Sequence, residues 1–464
     1  MIFDFILTLK VVKIHLVKKM TKDIFAQYDP IEEALQEGID PEEYIIGTYM
    51  VQIGPRMDPW YLGRAAACEQ STGTWVPVPA NTPELRAKFG AKVIGIYEVP
   101  SYEFEIPKGV DERNFIYQIA FPAINQTDQI GLMLTATIGN ISMGGKLKML
   151  DLRFPKKWIK NFQGPKFGIE GIRKLLKVPN RPLLNNMIKP CSGWTPEVGA
   201  QLFYSAALGG CDVVKDDELI ADMEYNRIVD RVPLMMEAVD KVRDEIGEET
   251  LYTINITDKL TKLKQNALAV QDAGGNALML NYLVVGLPVL RMLAEDPEIK
   301  LPILAHMDFA GAFYESPISG VSSFLIMGKL ARLAGADIVV YPAPYGKAPF
   351  LKEKYMALAK AHRYRMHHFK PTLPMPSGGI TPGMVLRVIQ DLGNDIMIGS
   401  GGGIHAHPDG PVAGARAFRQ AIDICMKDMA NASEDFEDYV EDHEGEYPEL
   451  TKAMETWGVK RTSL

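Results

Sequence analysis

From about residue 165 onward, short apolar runs alternate with longer stretches of helical periodicity. Eight runs read as strands: Leu183–Lys189, Cys211–Lys215, Tyr252–Ile256, Ala277–Val284, Ile303–Met307, Ile338–Tyr341, Thr372–Met375 and Ile396–Ser400. A helical segment follows each: Pro196–Leu208, Met223–Ile246, Lys259–Ala273, Gly286–Ala294, Ser323–Ala334, Leu351–Met366, Pro382–Leu392 and Pro411–Met429. Strands alternating with helices at this spacing predict a parallel sheet. Eight repeats over about 250 residues predict a closed (β/α)₈ barrel. An open doubly wound sheet would satisfy the same rhythm.

Upstream the rhythm differs. Tyr44–Val51, Ala91–Val99, Phe115–Ala120 and Gly131–Thr137 read as strands, and Met57–Cys68 carries helical periodicity. Residues 20–160 therefore read as a mixed α+β domain, 161–432 as the barrel, and 433–464 as a tail. Between Ser433 and Glu449 the tail is rich in Asp and Glu, the pattern of a solvated helical face. Residues 1–19 are apolar but broken by Asp4, Lys10, Lys13 and His15, too interrupted for a membrane span. Their lysines follow the apolar run instead of preceding it, unlike a secretory signal. These residues read as an extension ahead of a start at Met20 instead of Met1.

Composition narrows the function classes. At 47% hydrophobic and 23% charged, the chain is an ordinary globular one. Its formal net charge of −8 argues against a nucleic-acid partner, which would want a basic face. A small anionic substrate stays open, because a few local lysines decide that. Cys68, Cys191, Cys211 and Cys425 form no CxxC pair and no disulfide framework. A reducing, cytoplasmic setting is expected.

In a parallel barrel the C-terminal strand ends carry function, and here they are polar. Strand 1 runs into Lys189-Pro190, strand 2 into Lys215-Asp216-Asp217-Glu218, and strand 5 into His306. The loop after strand 6 holds Gly346-Lys347. Strand 7 leads to Ser377-Gly378-Gly379 and strand 8 to Gly401-Gly402-Gly403. Adjacent carboxylates suit a hard cation such as Mg²⁺. A lysine joins them as a ligand only if CO₂ converts it to a carbamate; otherwise the four residues are a surface turn or a helix cap. Glycines after strands 7 and 8 let backbone N–H groups approach a phosphate, or they form two tight turns. Lys189 and Lys347 could stabilise an oxyanion or move a proton, or be solvated surface lysines. His306 is equally open between a catalytic and a hydrogen-bonded structural role.

These residues together carry a resemblance. The segment GGCDVVKDDE at 209–218 is similar to the activation motif GGxDFxKDDE of the RuBisCO large-chain superfamily. Ile188-Lys189-Pro190 resembles its TIKPKLGL strand, Glu69-Gln70-Ser71-Thr72-Gly73-Thr74-Trp75 its ESSTGTW, and Gly139-Asn140 its N-terminal asparagine. GGGIHAHPDGPVAGARAFRQA at 401–421 resembles its GGG–GHxxGxxAGA stretch. The likeness runs from about residue 40 to about 430. It implies a ferredoxin-like α+β domain ahead of the barrel. It implies Lys215 as a carbamylated lysine that is both general base and Mg²⁺ ligand, with Asp217 and Glu218 completing the set. Lys189 would stabilise or protonate an enediolate, Lys347 would bind a substrate carboxylate, and His306 would lie near substrate hydroxyls. Thr74, Trp75, Ser377, Gly378, Gly379, Gly401 and Gly402 would hold a phosphate. Glu69 and Asn140 would reach in from a partner chain, since sites of this family form across a homodimer that can build higher oligomers.

The departures matter as much. The family's KPK is here Lys189-Pro190-Cys191, its strand-5 HR is His306-Met307, and a strand-6 histidine aligns with Val340. Around Lys347 the loop differs from the carboxylase pattern on both sides. Exchanging Arg for Met removes a bidentate phosphate partner, and a phosphate oxygen left unpaired in a closed site costs at least ~1–3 kcal/mol. One phosphate site is kept and the other dismantled. The expectation is a RuBisCO-like protein of form IV type, a Mg²⁺-dependent lyase or isomerase acting on a monophosphorylated keto-sugar or 3-oxo sugar acid. Enolisation, isomerisation and decarboxylation all stay open. The rivals are a genuine ribulose-1,5-bisphosphate carboxylase and a non-catalytic barrel of the same fold.

Overall fold

The structure is a computed structural model that describes residues 28–73, 76, 78–347, 350–433, 435–443 and 445–459. It divides into two compact units: the described residues up to Asn161 together with Ser316–Ser322, and the rest.

The first unit is built on four antiparallel strands, β1 (Tyr44–Ile53), β2 (Lys92–Glu98), β3 (Arg113–Pro122) and β4 (Leu147–Arg153). They lie in the order β4-β1-β3-β2, with helices Pro59–Glu69 and Ile130–Ile138 in the two crossovers, which is the ferredoxin-like arrangement. Buried and half-buried positions alternate along all ten residues of β1, as a sheet with one covered face requires. Helix Pro59–Glu69 starts where the Asp58 carboxylate accepts from the Trp60 N–H and Pro59 takes the first turn. Two-residue strand Gly320–Val321 adds in parallel to β4.

One expectation fails here. Gly131–Thr137, read as a strand, is the core of helix Ile130–Ile138. Its buried residues are Ile130, Met133 and Thr137, spaced three and four apart, and an apolar run this short carries no period that excludes either form. Strand β4 went unread because Lys148, Asp151 and Arg153 interrupt its apolar residues on the less buried side.

The second unit is a parallel barrel. Its strands are Leu183–Met187, Val213–Lys215, Leu251–Asn255, Ala277–Leu280, Ile303–Ala305, Ile338–Pro342, Leu373–Ser377 and Met397–Ser400. Taken as strands 1 to 8, they run in ladder order 7-6-5-4-3-2-1-8, and strands 7 and 8 lie side by side at the closure. All eight expected strands are present, which decides for the barrel over the open sheet. Strand 4 stops at Leu280, where a turn of helix over Tyr282–Val285 begins, so the expected run to Val284 is too long. Strand 2 is followed by a turn, and its helix opens at Ile228, not Met223. The helix after strand 5 opens as a π-helix, Phe324–Lys329.

The interior is closed at its N-terminal end by helix Gly168–Leu176. Ile169, Ile172 and Leu176 pack there on the inward residues Leu183, Val213, Leu251, Ile338, Leu373 and Met397. Bulky apolar layers fill such a barrel and leave the C-terminal strand ends for chemistry. The tail breaks into two short helices, Phe436–Asp442 and Pro448–Trp457. Each buries an apolar side despite the acidic composition (Phe436 and Val440; Leu450, Ala453 and Met454). No described helix is long and apolar enough to cross a membrane.

Candidate active site

The parallel ladder brings the polar strand ends to one face. Met187, Lys215 and Thr253 lie in register on strands 1, 2 and 3, so residues just beyond them meet above the core. Lys215 is fully buried. Its Nζ donates to the Asp216 carbonyl at 2.7 Å and lies 3.5 Å from Glu218 Oε2 and 3.6 Å from Met279 Sδ. Burial lowers the pKa of this ammonium, while the charges of Glu218 and Asp217 work the other way.

Asp217 is also fully buried, and Lys189 Nζ donates to its Oδ2 at 2.5 Å. Lys189 also reaches Cys191 Sγ at 3.1 Å. Burial opposes the charge on Lys189, but the bonds to Asp217 and Cys191 outweigh it and raise its pKa. Burial would raise Glu218, yet the Lys215 ammonium beside it brings it down to about 2. His306 Nε2 lies 3.4 Å from Glu218 Oε2, and its Nδ1 accepts from the Asp308 N–H at 3.2 Å. That network assigns the proton to Nε2. Burial, reinforced by the charge on Lys215, pushes His306 down to about 3, so it faces the site as a neutral imidazole.

The glycine loop after strand 8 borders the same residues, and the one after strand 7 meets Lys347. Ser377, the last residue of strand 7, is buried, and Gly378 and Gly379 follow with φ of +98° and +96°. A side chain is strained in that backbone region. A Cβ on Gly379 would also stand 2.8 Å from Lys347 N, whose N–H donates to the Gly378 carbonyl at 2.7 Å. The Lys347 side chain is exposed. A Cβ on Gly401 would lie 2.9 Å from Lys189 Cε, so the loop after strand 8 touches the lysine of strand 1. Gly402 opens the one-turn helix Gly402–His405.

Lys189, Lys215, Asp217, Glu218 and His306 thus form one contiguous cluster, flanked by Gly401. Glu69 and Asn140 belong to the N-terminal unit, where Asn140 Nδ2 donates to Glu69 Oε1 at 2.8 Å beside an apolar groove of about 570 Å³. Thr74 and Trp75 lie outside the described residues. Met307 packs against the barrel core, and Val340 lies within it, 1% exposed. Neither offers a donor to an anion.

Two supports escaped the sequence. Asn255 Nδ2 and Asn281 Nδ2 donate to the Glu218 backbone carbonyl at 3.3 and 3.0 Å. Both follow or end barrel strands, and a polar residue at a strand end was the available signal.

Among the described residues no three His, Cys, Asp or Glu side chains group to hold a metal ion. Asp217 and Glu218 supply two anionic groups, and the fully buried Lys215 amine adjoins Glu218. A carbamate on that amine would supply the third oxygen ligand, so the residues fit Mg²⁺ once Lys215 is modified.

Comparison with known proteins follows the same lines. Residues 168–457 match the family described as ribulose bisphosphate carboxylase large chain, catalytic domain, and residues 35–158 match its N-terminal domain. The chain is 57% identical over 423 residues to a ribulose bisphosphate carboxylase-like protein of Archaeoglobus fulgidus, covering 91% of this chain and 95% of that protein. It is 38% identical over 390 residues to a 2,3-diketo-5-methylthiopentyl-1-phosphate enolase of Geobacillus kaustophilus, covering 83% and 92%. The solved structure of a rubisco-like protein (MtnW) of Alicyclobacillus acidocaldarius superposes with a TM-score of 0.79 at 34% identity, covering 89% of this chain and all of that one.

Proposed function

Because the chain belongs to the RuBisCO large-chain family and its relatives include RuBisCO-like enolases, we propose that it is a Mg²⁺-dependent enzyme that forms an enolate on a monophosphorylated keto substrate. The observation that carries the reading is the pair Met307 and Val340. Met307 packs against the barrel core and Val340 lies within it, and neither side chain offers the cation or donor that a second phosphate would need. The glycine loops after strands 7 and 8, the latter beside Lys189, offer backbone to one phosphate. An enolase relative whose named substrate carries one phosphate and an uncharged methylthio end supports the same class.

Bound at Asp217, Glu218 and the Lys215 carbamate, Mg²⁺ would polarise the substrate carbonyl and stabilise negative charge on its oxygen. The carbamate forms when the neutral Lys215 amine adds to CO₂ and releases a proton. Burial favours the neutral amine. The Lys215 carbamate would then take the proton from the carbon next to the carbonyl; the C–H electron pair would become the carbon–carbon double bond and the carbonyl π pair would move to the oxygen. Lys189, which bonds Asp217 in the metal-free chain, would turn from that carboxylate to the developing oxyanion and return a proton. Neutral His306 is a hydrogen-bond donor to a substrate hydroxyl. Lys347, whose backbone N–H bonds the Gly378 carbonyl, would meet a carboxylate where the substrate carries one. In a homodimer, Glu69 and Asn140 of the N-terminal unit would complete the partner's site.

The deciding experiment is proton NMR in D₂O. Protein preincubated with Mg²⁺ and bicarbonate is given ribulose bisphosphate and, separately, monophosphorylated ketoses and keto acids. Deuterium incorporation with a monophosphate alone is the expected outcome. Turnover of ribulose bisphosphate to phosphoglycerate would make the protein a carboxylase and refute the reading of Met307 and Val340. Metal-dependent binding without exchange for any substrate would make it a non-catalytic barrel.

A further inference from the structure

Of two adjacent aspartates, only Asp217 faces the cluster. Strand alternation points Lys215 and Asp217 inward and Asp216 outward, toward helix Ile228–Ile246. An outward carboxylate at zero exposure must be fully bonded. Asp216 Oδ2 accepts from Arg231 Nη2 at 3.0 Å and from the Asn255 N–H at 2.9 Å. Its Oδ1 accepts from the Tyr252 hydroxyl, which in turn accepts from Arg231 Nε at 3.2 Å. Arg231 Nη1 donates to the Ala221 and Asn226 carbonyls, at 2.9 and 2.8 Å. Asp216, Arg231 and Tyr252 are all at 0% exposure. The cluster therefore ties strand 2, strand 3, the 221–226 turn and the following helix to one carboxylate.

We propose that Arg231 and Tyr252 are positioning residues for the metal site. By saturating Asp216 they hold the 215–218 turn so that Asp217 and Glu218 present their oxygens to the cation together with modified Lys215. Asn255 joins the two systems, since its N–H holds Asp216 and its side chain holds the Glu218 carbonyl. A cluster serving stability alone would have no reason to converge on both sides of the ligand pair. The inference rests on the Mg²⁺ reading above and goes beyond it, because none of these residues touches the substrate or the ion. Groups that orient metal ligands from behind commonly change metal affinity 10–100-fold when removed.

The probe is Mn²⁺, with bicarbonate present, the free ion being counted by electron paramagnetic resonance on the full chain. Tyr252→Phe removes only a hydroxyl and keeps the ring that packs edge-on against Phe203. Arg231→Lys keeps the charge and loses the fork. Each variant is expected to weaken Mn²⁺ binding about tenfold or more while remaining folded by circular dichroism. Arg332→Lys is the control. Arg332 is as deeply buried, but it donates only to the carbonyls of Ala361, Tyr364, Phe369 and Lys370. It should lower the melting temperature and leave Mn²⁺ affinity unchanged. Folded Tyr252→Phe binding Mn²⁺ within about twofold of the parent would overturn the proposal, and that variant decides the matter if Arg231→Lys does not fold. Failure of the unaltered protein to bind Mn²⁺ would refute the functional reading, and this inference with it.

Discussion

Lys189 Nζ sits 2.5 Å from Asp217 Oδ2, so an ammonium just beyond strand 1 occupies an oxygen that the proposed metal site requires. The two residues lie 28 positions apart, and the pairing places an acid–base group directly against the ligand set. Under the proposed function, metal and lysine would compete for one carboxylate, and the lysine would turn toward the substrate when the ion binds.

Lys189→Met separates those roles. It removes a competing cation, so Mn²⁺ affinity should hold or rise. Deuterium exchange into substrate should fall by about 10²–10⁴-fold, the usual worth of a positioned acid or base. Weaker metal binding in this variant would show that Lys189 supports the ligands instead of the chemistry.

Gly401→Ala tests the same lysine from the other side. Its new Cβ would meet Lys189 Cε at 2.9 Å, and a flexible side chain gives way before backbone does. Exchange activity is expected to drop with the melting temperature nearly unchanged. Normal activity would mean that the lysine has room the geometry denies it.

Lys215→Ala should abolish the carbamate signal in ¹³C NMR under labelled CO₂, together with metal-dependent ligand binding. Full exchange activity in this variant would remove the carbamate from the mechanism.

Acid stability carries the mark of His362, which is fully buried, with Nε2 bonded to the Met327 carbonyl at 2.9 Å. Burial lowers its pKa from 6.5 to about 4. The folded state resists protonation that the unfolded chain accepts. This contribution is therefore complete above pH 6.5 and is lost as pH falls toward 4, at up to ~1.4 kcal/mol per pH unit. His362→Gln should flatten the dependence of unfolding free energy on pH across that window. An unchanged slope would assign acid sensitivity to other groups.

Ile172→Ala should cost stability without touching function. Ile172 is wholly buried in the plug that closes the N-terminal end of the barrel, and truncation of such a residue costs about 2–5 kcal/mol. Denaturant unfolding should report the loss while Mn²⁺ affinity stays at the parental value.

Much of this protein was legible from local pattern. The period of the strand–helix repeats predicted the barrel, because alternation of two element types leaves few ways to bury both. The KDDE run supplied candidate residues, and the structure groups Lys215, Asp217 and Glu218 with Lys189 and His306.

Tertiary structure decided what depends on direction and distance. Whether Gly131–Thr137 was strand or helix turned on what packed against it, and Ile130, Met133 and Thr137 settled it by burying one helical face. The two aspartates are identical in sequence terms. The register of strand 2 sends one to Arg231, 15 positions away, and the other to Lys189. Asn255 and Asn281 became supports of Glu218 only once strands 3 and 4 lay beside strand 2. Side-chain chemistry is a local property and survives in the sequence; which partner satisfies a buried charge is set by packing across the fold.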